Sequence, residues 1–90
     1  MKNKHIAQVI MYKTEWCSDC RLPETFFEQF GIKVEKIDID ENREAAFEME
    51  RLNNGNKIIP TILVKYEDGS EKVLLEPSWA ELEETFKQEL

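Results

Sequence analysis

The sequence predicts a single α/β domain over residues 1–90, with the order β-α-β-α-β-β-α: a four-stranded mixed sheet flanked by three helices. Three observations carry this prediction. Short apolar runs rich in β-branched residues alternate with stretches of helical periodicity. A turn signal, Glu67-Asp68-Gly69-Ser70, joins the last two runs as a hairpin. The first run reaches its helical stretch through Cys17-Ser18-Asp19-Cys20, which holds the only cysteines of the chain.

Ile6 to Tyr12 is a continuous apolar run, the pattern of a strand buried on both faces. After the cysteines, Leu22, Phe26, Phe27 and Phe30 share one broad helical face, with Glu24 and Glu28 on the opposite side. Gly31 is placed to end that helix as a left-handed cap. Ile32 to Ile39 reads as the second strand, parallel to the first because a helix connects them. Asp40 is the expected cap of the next helix, whose stripe is Ala45, Met49 and Leu52, and Asn53-Asn54-Gly55 stops it. Phe47 falls off that stripe. Ile58 to Tyr66 is a β-rich run interrupted by Pro60, and Val73-Leu74-Leu75 is the returning strand. Ser78 and Glu81 form a capping box for a last helix with the stripe Trp79, Leu82, Phe86 and Leu90.

Composition narrows the function classes. A net charge of −7 with 34% charged residues describes an acidic, soluble surface, so a nucleic-acid partner, which needs a basic patch, is not expected. The longest apolar runs, such as Ile62-Leu63-Val64, are too short to cross a bilayer, and Met1-Lys2-Asn3-Lys4 leads into no signal-peptide core. A cytoplasmic address and no membrane partner are therefore expected. In a reducing compartment, a lone close-spaced cysteine pair serves catalysis or metal binding more often than stapling. A bridge across so short a loop would stabilise little.

The chemistry of the pair follows from its place. A C-x-x-C that follows an apolar strand and opens a helix reads as a dithiol redox centre. Cys17 at the helix start is stabilised as a thiolate by free amides and the helix dipole, so it is the expected nucleophile. Cys20, one turn further in, is the expected resolving thiol. Glu15 and Asp19 place two carboxylates near Cys17 and oppose the dipole, with Lys13 and Arg21 as the nearby cations that either offset them or are solvated charges. Trp16 either shields the disulfide and offers a flat contact to substrate or packs. Pro60 belongs at an edge or bulge, or in a cis bond. Thr61 reads as a β-propensity choice. A metal or iron-sulfur protein using the same cysteines is the alternative, and it needs about four ligands, which a dimer could supply. His5 reads as a surface residue.

Three segments, from Met11 through Cys20, Ile37-Asp38-Ile39-Asp40, and Gly55 through Thr61, resemble the glutaredoxin family over nearly the whole chain. Short bacterial members of mycoredoxin type are the nearest in kind. The resemblance implies a thioredoxin-like fold, a thiol-disulfide oxidoreductase, a cis Pro60 facing the dithiol, and a groove for an extended substrate. The amide and carbonyl of Ile59 would then pair with the substrate backbone, with Trp16 and Lys13 beside it. Disulfide-containing proteins are the implied substrates, and the protein is expected to be a monomer with no bound organic cofactor. Electrons would come from a low-molecular-weight thiol, glutathione or another, or from a flavoprotein of thioredoxin-reductase type. Glutathione-dependent members carry a lysine three residues before the nucleophile, whereas Lys13 is four before it. Where those members carry a Gly-Gly-x-x-Asp-like element, this chain reads Leu75-Glu76-Pro77-Ser78-Trp79. Pro77 and Ser78 are accordingly the positions expected to meet a thiol cosubstrate, the helix end at Ser78 offering amides to a carboxylate or serving simply as a cap.

Overall fold

A computed structural model describes residues 5–90; the opening Met1-Lys2-Asn3-Lys4 lies outside the described residues. The elements are β1 (Ile6–Lys13), a 3-10 turn (Ser18–Cys20), α1 (Arg21–Gln29), β2 (Glu35–Asp38), α2 (Arg43–Leu52), β3 (Thr61–Tyr66), β4 (Glu71–Leu75), α3 (Trp79–Phe86) and a closing 3-10 turn (Lys87–Glu89). The four strands form one mixed sheet in the order β2-β1-β3-β4. β1 runs parallel to β2 and antiparallel to β3, and β3 pairs antiparallel with β4.

The sheet separates two apolar layers. Val9 and Met11 of β1, with Ile62 and Val64 of β3, face α1 and α3. Ile10, Tyr12 and Leu63 face α2, where Ala45 and Met49 cover them. Alternation along a strand sends successive side chains to opposite faces, so a strand covered on both sides must be apolar throughout. β1 meets this from Val9 to Tyr12, whereas Ala7 and Gln8 near its start are exposed. An aromatic cluster fills the α1/α3 layer: the Phe26 ring lies 4.9 Å from Phe30, 5.0 Å from Trp79 and 6.0 Å from Phe86. Gly31 ends α1 at φ 65°, where Ile32 N–H reaches back to Phe27 C=O at 2.9 Å.

The structure departs from the sequence pattern at several boundaries. Leu22 is 41% exposed and Pro23 is buried in its place. Pro23 stands three and four residues before Phe26 and Phe27, at the centre of the apolar arc, while Leu22 falls on its margin; proline is tolerated in a first helical turn. The second strand spans only Glu35–Asp38, because its register runs opposite Ile10 to Lys13. Ile32 and Val34 still pack against the core, without joining the ladder. Asn42, not Asp40, caps α2, its side chain accepting the Ala45 N–H at 3.0 Å. Asp40 stands two residues too early and bonds elsewhere. The third strand begins after Pro60, which has no N–H to give the ladder. Leu90 is exposed, since α3 ends at Phe86. The Ser78/Glu81 capping box is present with both of its hydrogen bonds. Phe47 is 63% exposed on the outer side of α2.

Glu24 ties α1 to the sheet ionically. Glu24 accepts from Lys13 at the end of β1 at 2.9 Å and from Lys36 of β2 at 3.2 Å. Burial pushes the Glu24 carboxyl upward, but hydrogen bonds from Lys13 and Lys36 outweigh it and leave the group below its ordinary range. The Lys13 ammonium is correspondingly raised, chiefly by its hydrogen bond to Glu24.

Two outcomes are expected. Phe26→Ala should lower unfolding free energy by about 3–5 kcal/mol in urea titration, the usual cost of removing a fully buried ring. A carboxyl depressed in the folded state stabilises above its unfolded value and loses that contribution as pH falls through its folded value. Wild-type stability should therefore decline with falling pH below about 4.3, and Glu24→Gln should be less stable at pH 7 and decline less steeply in that acid window. Parallel urea midpoints across pH would measure this; identical curves would contradict it.

Candidate functional site

Central β1 ends at Lys13, and the chain then turns sharply: Cys17 N–H donates to Thr14 C=O at 3.3 Å. Cys17 caps the 3-10 turn in an extended conformation, φ −79° and ψ 102°. Cys20 closes that turn and leads directly into α1. The two sulfurs form a disulfide, with Cα atoms 5.4 Å apart. Their surroundings differ. Cys20 is fully buried, whereas Cys17 keeps part of its surface in solvent.

The neighbours of Cys17 open onto different grooves. Trp16 lines one of about 220 Å³, together with Thr14, Asp40, Lys57 and Ile59. Ser18 and Asp19 line another of about 390 Å³, together with Leu22, Glu76, Pro77 and Ser78. Cys17 thus divides, along the chain, a groove containing Ile59 from a groove containing Pro77 and Ser78. A cavity of about 420 Å³ lies by Ile6 and Gly31, at the other end of β1, and includes neither cysteine. The two smaller grooves are lined by neither sulfur, but they take in the residues on either side of Cys17, Trp16 in one and Ser18 in the other, and so lie next to the disulfide.

The Ile59-Pro60 peptide bond is cis. Buried Thr61 fixes the turn before it, donating to Ile58 C=O at 2.5 Å and accepting from Asn53 at 2.9 Å. Pro60 C=O accepts Glu76 N–H at 3.0 Å, which ties this turn to the segment after β4. Glu76 itself adopts φ 43°, a left-handed conformation that side chains with a Cβ seldom take. Among the described residues, neither the amide nor the carbonyl of Ile59 has a hydrogen-bond partner.

Trp16 is 72% exposed, and its indole N–H donates to Asp40 at 2.9 Å. Lys13 is held by Glu24, so its charge is shared with that carboxylate. Pro77 is buried. At Ser78 the backbone N–H already donates to the Glu81 carboxylate at 3.0 Å. Glu15, Asp19 and Arg21 are exposed. No group of three or more metal-ligating side chains occurs among the described residues. No helix among them is long and apolar enough to cross a membrane.

Sequence reasoning missed Asp40 as the partner of Trp16 and Asn53 as the partner of Thr61. Asn53 was legible only as a helix stop, and Thr61 only as a strand former. The hydroxyl of Thr14, buried at the groove, also escaped notice and has no hydrogen-bond partner among the described residues.

Comparison with known proteins bears on this arrangement. A family model described as Glutaredoxin matches residues 9–67, which contain both cysteines and Pro60. A Mycobacterium tuberculosis protein bearing a glutaredoxin name is 38% identical over 64 residues, 71% of this chain and 74% of that protein. Mycoredoxin 1 of Corynebacterium glutamicum is 35% identical over 65 residues, 72% of this chain and 77% of that protein. Among solved structures, oxidized thioredoxin O2 from Arabidopsis thaliana superposes with a TM-score of 0.64 at 21% identity, covering 90% of this chain and 72% of that one, which shows the thioredoxin fold. With a matching family model that spans the disulfide, the chain belongs to the glutaredoxin family of thiol-disulfide oxidoreductases.

Proposed function

We propose that Cys17 and Cys20 run a dithiol cycle that reduces protein disulfides, or mixed disulfides between proteins and low-molecular-weight thiols. The observation that carries this reading is the unequal burial of two bonded cysteines: Cys17 is reachable and Cys20 is enclosed. In the reduced protein, the Cys17 thiolate attacks one sulfur of the substrate disulfide. A bond forms from Cys17 to that sulfur, and the other substrate sulfur leaves as a thiolate and takes a proton. Cys20 then loses its proton and attacks the Cys17 sulfur, releasing the second substrate thiol and leaving the Cys17–Cys20 disulfide. Two electrons have passed to substrate, and a donor returns them by the same exchange in reverse.

The other site residues serve binding. Ile59, beside cis Pro60, offers an amide and a carbonyl to an extended substrate, in the manner of an added strand. Trp16 supplies an exposed apolar wall, and Lys13 places a cation near the turn. Pro77 and Ser78 border the second groove, where a thiol cosubstrate meets the cysteines. The donor is a low-molecular-weight thiol, glutathione or another, or a flavoprotein reductase of thioredoxin-reductase type. Glu76 and the closed capping box at Ser78 disfavour a bound carboxylate there and so weigh against tight glutathione binding. The active form is a monomer working in the cytoplasm.

The test is a pair of variants assayed on a protein disulfide and examined by intact mass. Cys17→Ser should reduce turnover to background. Cys20→Ser should stop the dithiol cycle and accumulate a substrate adduct on Cys17. Retained turnover in Cys17→Ser, or an adduct mapped to Cys20 in the wild type, would overturn the assignment.

A further inference from the structure

Trp16 is 72% exposed, so packing does little to orient its ring. Its indole N–H nevertheless donates to a carboxylate oxygen of Asp40 at 2.9 Å. Asp40 is itself held, its N–H donating to the Asp38 carboxylate at 2.9 Å. Next to it, Ile39 N–H donates to Lys13 C=O at 3.0 Å, which ties this loop to the end of β1. The carboxylate therefore sits on a braced segment just beyond β2, and both Asp40 and Trp16 line the groove that contains Ile59.

We propose that Asp40 is a positioning residue for substrate recognition: it holds the Trp16 indole as a fixed wall of the groove containing Ile59, preforming that groove for an extended polypeptide disulfide. This rests on the reading of Cys17 as nucleophile and Ile59 as the backbone contact. Asp40 touches no reacting atom. Its effect comes from preorganisation, since a ring already held in place loses less rotational freedom when substrate arrives. Recognition is accordingly expressed in KM, while the exchange at Cys17 sets kcat. A small disulfide that meets only Cys17 does not fill the groove and gains nothing from the wall. The substrate class this selects is an extended peptide segment around a disulfide, in preference to a compact low-molecular-weight disulfide.

The experiment compares the full chain with Asp40→Ala, Asp40→Asn, Trp16→Phe and the double variant Asp40→Ala/Trp16→Phe. The probes are an extended peptide in mixed disulfide with 2-mercaptoethanol and the small bis(2-hydroxyethyl) disulfide, with dithiothreitol as donor to both. Asp40→Ala should raise KM for the peptide about three- to fivefold, the scale of one exposed hydrogen bond, and move the indole N–H resonance of Trp16. Asp40→Asn, whose side-chain carbonyl accepts the same N–H, should restore the wild-type KM. Trp16→Phe should raise KM as well, and adding Asp40→Ala to it should bring no further loss, the signature of two residues acting through one contact. An unchanged peptide KM in Asp40→Ala, an equal rise for both probes, or additive losses in the double variant would overturn the proposal. Failure of the underlying redox reading is told apart by Cys17→Ser, which would then still turn over both probes.

Discussion

The placement of Cys17 depends on the pairing of β1 with strands on both sides. β2 and β3 fix Ile10 to Tyr12 in register from either flank, and apolar layers close over both faces. A strand held in this way has no freedom where it leaves the sheet, so the turn from Thr14 to Cys17 starts from a rigid point. The same register fixes the opposite wall. Tyr12 pairs with Thr61, the residue after cis Pro60, so the end of β1 that leads to the cysteines and the turn that carries Ile59 lie on one rung of the ladder. Thr61 in turn pairs with Leu75 of β4, which brings Glu76 and Pro77 to the same end of the sheet. Three segments far apart in sequence thus converge because a single antiparallel and parallel register admits no other arrangement.

Within that frame, the cysteines are made unequal by secondary structure. The 3-10 turn carries the chain inward, so its first flanking residue stays at the surface while its last is buried at the start of α1. Burial in apolar surroundings disfavours a thiolate, and Cys20 is the buried member of the pair. The same short segment therefore leaves Cys17 partly open to solvent and encloses Cys20. Glu15 and Asp19 add negative charge from exposed positions, where solvent weakens their influence.

How much of this was legible in the sequence depended on the range of the interaction. Element order came from local periodicity, and the strongest local signals held: Gly31 with its positive φ, the Ser78/Glu81 box and the Asp68-Gly69 hairpin; the cysteine pair precedes the first helix as read, but a 3-10 turn intervenes, so Cys20 and not Cys17 caps α1. The parallel pairing of the first two strands followed from the helix between them. What escaped were contacts between residues distant in sequence. Trp16 and Asp40 are 24 residues apart, and Lys13 and Glu24 are 11 apart. Nothing in a window of sequence links such pairs: the β1/β2 pairing brings the Trp16 and Asp40 segments together, and the packing of α1 on the sheet brings Glu24 to Lys13. Asp40 was mistaken for a helix cap because its residue type suits one, and Asn42, equally suited, stood in the position where its side chain meets the third helical amide. The second strand was read too long because Ile32 and Val34 are buried by packing without being paired. Leu22 was read inward because periodicity alone does not weigh a neighbouring proline as a core residue.

The central claim is that Cys17 and Cys20 form a reversible redox couple, and it is tested most directly by equilibrating the protein in thiol redox buffers and counting free thiols by alkylation and intact mass. A single two-electron transition with a midpoint between about −170 and −280 mV, the span from disulfide isomerase to thioredoxin, is expected. A pair that never closes its intramolecular disulfide across that range, or that titrates as two independent thiols, would contradict the dithiol mechanism.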